Sequence, residues 1–404
     1  MVKRVRRRYA AERWFRLTGL AAIGISVLFL AFLLYTMAAK GLGGFMQYEA
    51  QLPINFAQSD LFLDPATLRG PDAEQTVAGA DIEGAISKAA VAAYGDKASE
   101  MFGDGAVTKL TRKIVANPDV LTRSATFWLP VGSKVDIAAK DAGDEASEQL
   151  VNTLKQHHAL RREFNVGFLT SSDSTDPSSV GVWGALKGSF LTILVTMALA
   201  FPVGVLAAVY LEEFAPRNRW TDAIEVSINN LAAVPSIIFG LLGLAVFLNV
   251  MNLPRSAPLV GGLTLALMTM PVIVIAGRNA IKTVPPSIRD AALGVGASKM
   301  QVTFHHVLPL ALPGILTGTI IGVARALGET APLLMIGMRA FIAAPPGGIT
   351  DPATVLPVQI FLWSDEVDRG FVEKTSAAII VLLLFMLLMN GLAIYLRNKF
   401  ERRW

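Results

Sequence analysis

The sequence predicts an all-α integral membrane protein of six membrane-spanning helices, with a polar insert, α+β or mostly helical, on the extracytoplasmic side. Three observations predict it. Of 404 residues, 53% are hydrophobic and only 17% charged, against about 25% charged in a soluble domain. Long runs of the chain carry no charge at all. Lysine and arginine then gather on alternate connections between those runs.

A membrane helix needs roughly 20 apolar residues to cross about 30 Å of hydrocarbon. Runs 17–39, 188–211, 226–254, 256–277 and 375–396 contain no charged residue. A sixth, 300–324, is uncharged when its histidines are neutral, and continues past Arg325 and Glu329 to Met338. Only Arg255 separates the third run from the fourth, so a tight turn must join them. The first run ends in small residues and could be a signal peptide. Its 23 residues exceed the roughly 7–15 of a signal core, which favours a retained anchor.

Basic residues set the orientation. If the N-terminus is cytoplasmic, the inside segments hold 17 lysines and arginines and the two short outside loops hold four: Arg255, Arg339, Arg369 and Lys374. Both termini are then cytoplasmic. The basic N-terminus reads as this orientation signal beside anionic headgroups rather than as a nucleic-acid patch.

Three regions follow: 1–40, the basic N-terminus and first span; 41–180, an extracytoplasmic domain; and 181–404, the transmembrane domain with a cytoplasmic loop at 278–311. The middle region holds 19 acidic and 12 basic residues. Helical patterns cover 72–101 and 141–164, with a strand-like piece at 125–131. Residues 170–179, rich in Ser, Thr and Asp, read as a linker back to the membrane. A net charge of −7 should repel an anion, so this domain is expected to be structural or to dock a partner. His157 and His158 adjoin, lack a third ligand, and are not expected to hold a metal. The chain has no cysteine, which excludes disulfide and thiolate chemistry. It also has no glycine-rich loop of the kind that cradles ATP phosphates and no His-Glu-x-x-His pattern, so no catalytic residue is expected.

Two features go beyond generic membrane packing. Arg325 and Glu329 lie within the fifth span, where a charge costs about 2.5–3.5 kcal/mol on insertion scales. Their i, i+4 spacing puts them on one helix face. A guanidinium offers a planar fork of donors suited to a tetrahedral oxyanion, and the carboxylate would occupy it between passages. The bland alternative is an ion pair that only locks helices. Gly328, Thr330 and Pro332 beside the pair suggest close packing or a local helix break. The second feature is the 278–311 loop. Pro285 and Pro286 break the arriving helix; Ser287 is a plausible N-cap; Asp290, Ala291 and Ala292 follow; Gly294 and Gly296 make a turn.

That loop resembles the Glu-Ala-Ala…Gly…Leu-Pro coupling motif of ABC importer permeases. Asp290-Ala291-Ala292 and Gly296 match it in spacing, and Leu308-Pro309 closes it. Asp290 replaces the usual Glu, and His306 an aliphatic residue. The stretches Pro235-Ser-Ile-Ile-Phe-Gly-Leu-Leu-Gly243 and Ala324-Arg-Ala-Leu-Gly-Glu-Thr-Ala-Pro-Leu-Leu334 are similar to those of phosphate-specific importer permeases, PstA type. The resemblance runs from about Gly188 to the C-terminus.

It implies the type I importer permease fold in a bacterial inner membrane. It also implies a second, PstC-type permease, a cytoplasmic ATPase dimer that uses ATP and magnesium, and an external phosphate-binding protein. This chain itself would bind no cofactor. Arg325, Glu329 and Thr330 would line the phosphate path, and Asp290, Ala291, Ala292 and Gly296 would couple to the ATPase. A permease for sulfate or molybdate, and a membrane sensor with 41–180 as its ligand domain, are the competing readings.

Overall fold

The computed structural model describes residues 2–56, 61, 63–70, 73–140 and 143–400. Asp72, Asp141, Arg402 and Arg403, which entered the sequence reading, lie outside them.

The chain begins with one long helix, α1 (Val2–Gly44). A single residue, Phe45, separates it from β1 (Met46–Asn55). Then come α2 (Ala73–Ala78), α3 (Ile82–Tyr94), α4 (Asp104–Ala116), β2 (Ser124–Pro130), α5 (Ser133–Lys140), α6 (Glu145–Gln156), β3 (Leu160–Phe164) and α7 (Val166–Thr170). The three strands form an antiparallel sheet in the order β2-β1-β3. Alternation along β1 sends Ala50, Leu52 and Ile54 into a core with Ile86, Leu110, Ile114, Leu129 and Leu154. The region is therefore α+β. The helical pattern at 141–164 ends early: residues 160–164 are a strand, because β1 offers a free edge to pair with. The 72–101 pattern is likewise interrupted, between α2 and α3.

The membrane region follows: α8 (Trp183–Val209), α9 (Arg219–Ala232), α10 (Ser236–Gly243), α11 (Pro258–Lys282), α12 (Pro286–Gly294), α13 (Lys299–Gln301), α14 (Leu308–Gly328), α15 (Ala331–Met335), α16 (Leu356–Ser364) and α17 (Gly370–Phe400). Wide π-helical turns extend α8 (Tyr210–Phe214) and α10 (Leu244–Val250), and join α13 to α14 (Val302–Val307). Five of the long helices are apolar enough to cross a membrane, or six spans if a bent pair counts as one. That pair holds most of the third uncharged run, preceded on α9 by the charged Arg219, Asp222 and Glu225. It is no straight span: α9 and α10 meet at 100° around Ala233–Pro235, where proline supplies no N–H and disfavours helix in the residue before it.

α11 is the centre of the bundle, packed against both α8 and α14. Small residues permit the approach. Gly314, Gly318 and Gly322 form a ridge on α14, at i, i+4 and i+8, and a methyl group on each would press on Ala280, Ala276 and Thr269 of α11 respectively. Without a hydrophobic force between helices in lipid, such close contact is what holds them. Buried threonines keep the spans dry by bonding within their own helix: Thr264 to the Val260 carbonyl (2.8 Å) and Thr269 to that of Leu265 (2.7 Å).

The outer domain is stapled to the start of α17. Lys140 Nζ meets Asp136 (2.6 Å), Glu373 (2.8 Å) and the Gly43 carbonyl (3.0 Å). Lys374 Nζ donates to the Gly44 carbonyl (3.1 Å), and Ser133 Oγ to Asp368 (3.0 Å). Residues 170–179 are not the loose linker expected. Asp173 Oδ1 accepts from the Trp363 indole (3.0 Å) and Gln359 (3.3 Å) on α16, and burial raises its carboxyl above the usual range. The Asp104 and Gly105 amides bond to Asp176 (2.7 Å) and Ser178 (3.2 Å). Polar side chains that suggest a flexible tether instead satisfy the backbone of a packed strap.

The helix contact generates a test. Gly318→Leu should force α14 off α11, abolishing a monodisperse, cooperatively unfolding protein in detergent. Gly391→Ala, on α17 where nothing lies within 4 Å of the added methyl, should leave the unfolding temperature unchanged or raise it slightly, as alanine is about 0.8–1 kcal/mol better in a helix.

Candidate functional site

Arg325 stands in the last turn of α14, three residues before that helix ends. The fifth span therefore does not continue to Met338 as one helix, and Arg325 lies near its end rather than at its middle. Glu329 is the C-cap, in extended geometry (φ −79°, ψ 122°), and Thr330 is the N-cap of α15. A cation in the final turn suits the negative end of the helix dipole. The break leaves carbonyls of that turn without helical partners.

The pair is loosely joined. Arg325 Nε is 3.5 Å from Glu329 Oε1, a single long contact. The Arg325 side chain is 44% exposed and that of Glu329 19%. The guanidinium thus keeps most of its donors unspent, unlike a bidentate pair that locks two helices.

The two stretches that carry the family resemblance, about 90 residues apart, meet at this point. Gly240 of α10 lies against Pro332 and Met335 of α15, and Gly243 against Thr264 and Ile336. Phe239, Ala326, Leu327, Leu333 and Ile336 share one apolar cluster. The sharp bend between α9 and α10 brings the first stretch under the break that carries Glu329 and Thr330.

At the other end of α14 lies the loop. α11 stops at Lys282, and Pro286 opens α12 at its first position, where its missing N–H costs nothing. Pro285, not Ser287, is the N-cap, and no side chain caps the helix. Ala292 is buried in a cluster with Ile281, Val284, Val302 and Val307. Asp290, Ala291 and Gly296 face outward. Gly296 has φ +90°, a backbone that only glycine adopts without strain. Ser298 and Gln301 then close a reciprocal cap on α13, at 2.9 and 3.3 Å. The surface so formed displays Leu293, Val295 (86% exposed) and Met300.

Sequence reasoning missed the residues that fix this loop. Glu212 and Glu213, on the π-helical end of α8, each hold one arginine. Arg278 of α11 bridges Glu212 and Glu225 of α9 (2.7 Å to Glu225). Arg289 of α12 donates to Glu213 (2.7 and 3.1 Å) and to the Val284 and Ile281 carbonyls (2.7 and 3.0 Å). Arg289 thereby satisfies carbonyls at and just after the end of α11 while binding α12 to α8. The Glu-Glu pair at a helix end was visible in the sequence, but its arginine partners lie 66 and 76 residues away. His157 and His158 are exposed at the end of α6, and among the described residues no group of three or more His, Asp or Glu could hold a metal.

Arg289→Ala should release α12. It strands two carbonyls and the Glu213 carboxylate, a loss of about 2 kcal/mol locally. Hydrogen–deuterium exchange at 286–297 should quicken severalfold while exchange in α11 and α14 stays unchanged; uniform exchange across the bundle would mean that the clamp holds nothing.

Two family models match the chain. A domain of unknown function, DUF3333, matches residues 2–149. The binding-protein-dependent transport system inner membrane component matches residues 200–403, half of the chain. A probable ABC transporter permease protein of Bacillus subtilis, YqgI, is 32% identical over 206 residues, 48% of this chain and 69% of that protein. The phosphate transport system permease protein PstA of Yersinia pestis is 32% identical over 214 residues, 53% of this chain and 71% of that protein. Its Haemophilus influenzae counterpart is 30% identical over 240 residues, 59% and 82% respectively. The chain belongs to the family of binding-protein-dependent transport system inner membrane components: it is a multi-pass membrane permease subunit of the ABC transporter class, similar in sequence to PstA proteins.

Proposed function

We propose that this chain forms half of the translocation path of an ATP-driven phosphate importer in a bacterial inner membrane, both termini cytoplasmic. The observation that carries the reading is Arg325, a guanidinium held by one long contact where two motif stretches meet at a helix break. The names of the relatives supply the substrate. A phosphate oxygen would displace the Glu329 carboxylate from the Arg325 fork, with the Thr330 hydroxyl as a further donor. The carboxylate would then retake the arginine and release the anion. A permanently unpaired arginine would hold a doubly charged oxyanion too tightly to pass it on.

The same reading gives the loop its task. α12, with Asp290, Ala291 and Ala292, and the turn at Gly296 would dock a cytoplasmic ATPase through the apolar surface of Leu293, Val295 and Met300. ATP and magnesium would be used by that partner. A second permease, of PstC type, would complete the path, and an external binding protein would deliver phosphate. Closure of the ATPases would then be a rigid-body input biasing two states of the bundle.

Arg325→Ala should reduce phosphate uptake in proteoliposomes of the full complex by at least a hundredfold, about 2.7 kcal/mol. Assembly should survive, because the Arg325 side chain is 44% exposed and makes one long contact. Arg325→Lys should rescue poorly, since the fork is lost. Normal uptake by the alanine variant would return the pair to helix packing, and stronger competition by sulfate than by phosphate would replace the substrate. Gly296→Val, strained by about 1–3 kcal/mol, should leave ATP hydrolysis running without transport; full coupling in that variant would remove the docking assignment.

A further inference from the structure

The outer domain is acidic overall, yet four of its twelve basic residues converge on one place. Lys109, Arg112 and Lys113 stand at i, i+3 and i+4, one face of α4. Arg161 on β3 is the ladder partner of Glu49 on β1. Glu49 is buried, 1% exposed, and both its oxygens are taken: Lys109 holds Oε1, and Arg161 holds Oε2 at 2.7 and 3.2 Å. The only other nearby carboxylate among the described residues lining this place is Glu163, exposed and 3.4 Å from Arg161. Arg161 is further fixed over the Trp128 ring, 4.6 Å from its centre. Arg112 is exposed and makes no hydrogen bond or ion pair with the described residues. Burial first, and then Lys109 beside it, pushes the Lys113 ammonium below its usual range.

A cavity of about 310 Å³ opens onto this cluster. Lys109, Arg112, Arg161, Thr108 and Asn165 line it. Asn165 is the independent observation. It is 2% exposed; its Oδ1 accepts the Phe168 amide (2.9 Å), but its Nδ2 has no partner. A buried donor left unpaired is costly, and here it belongs to a residue that borders the cavity. The cavity thus offers a guanidinium and an ammonium, with the buried, unpartnered Nδ2 carried by a residue of its wall, against two carboxylates already engaged by cations. Its volume is at the low end for ligand pockets. It suits a small anion whose oxygens accept on several sides. Through the Asn165 amide, which donates to the Phe45 carbonyl (2.8 Å), it borders the outer end of α1.

We propose that this cavity binds a phosphate-group anion, with Arg112 as its principal cation, Lys109 as the second and Asn165 Nδ2 as a neutral donor. The phosphate identity rests on the transport reading above. The anion has two chemical sources at this place, the free ion or the phosphate of a lipid headgroup.

The test is equilibrium dialysis of labelled inorganic phosphate against the purified full chain in lipid-free detergent, without ATPase or transport. Wild type should bind saturably. Arg112→Ala should weaken binding at least tenfold with an unfolding temperature near wild type; Asn165→Ala, which also removes the α7 cap, should weaken it severalfold and lower the unfolding temperature modestly. In an Arg325→Ala background, which removes the path's own cation, saturable binding should persist and still respond to Arg112→Ala, so the site and the path can fail separately. Stronger displacement by glycerol 1-phosphate than by phosphate assigns the headgroup source; the reverse assigns the free ion. Binding that Arg112→Ala and Asn165→Ala do not weaken, or that disappears with Arg325→Ala, overturns the proposal, as does the absence of saturable binding at millimolar phosphate. Should Arg112→Ala fail to fold, Asn165→Ala alone decides.

Discussion

Contact between α11 and α14 is the constraint on which the rest depends. Lipid tails are as apolar as the helices, so no solvent force drives the helices together, and only the missing side chains of the glycine ridge let them approach. α14 rises about 26 Å from Leu308 to Arg325, by its 1.5 Å per residue. It is therefore a strut across the hydrocarbon, with the loop at one end and the charged pair at the other. α11 leads into α12 directly, and the Arg278 and Arg289 clamps tie that junction to α8 and α9. A displacement at the loop reaches the helix break through the π-helical turn Val302–Val307 and then along α14.

Much of this was legible in the sequence, for stated reasons. A run without charge is a strong signal, because lipid admits few alternatives to a helix. Local chemistry also read well: prolines ended α11, and glycine at 296 marked a turn. Where reading failed, hydropathy carried no geometry. The third run is uncharged through Val234 and Pro235, so a charge-based reading sees one span and not its sharp bend, although the proline was there to be weighed. The 160–164 strand looked helical because its partner, β1, lies more than a hundred residues earlier. Ser287 looked like a cap because capping propensity is local, while Pro286 took the first helical position instead.

Charged residues divide in the same way. Arg325 and Glu329 announce themselves, since neither should be in a span without purpose. Glu212, Glu213, Arg278 and Arg289 sit at helix ends, where charge is ordinary, and only pairing across the fold distinguishes them. The outer domain is the sharper lesson. Its net charge of −7 describes the domain as a whole, but net charge is a sum, and it hides the local gathering of Lys109, Arg112 and Arg161 at one cavity. Arg161 reaches the Lys109 face only because β3 pairs with β1 in one register.

Finally, α1 enters the sheet with almost no joint. One residue, Phe45, lies between the helix and β1, and the Lys374 and Lys140 bonds to Gly44 and Gly43 clamp that corner. Among the described residues, none buries α1 before Thr36, while its outer end packs on α17 at Gly41 and Gly44. Its tilt is accordingly set by bilayer thickness together with that one packed end. With no hinge at its outer end, a thinner or thicker bilayer would be delivered to the sheet as a torque, making the outer domain's posture a mechanical report on the membrane that anchors it.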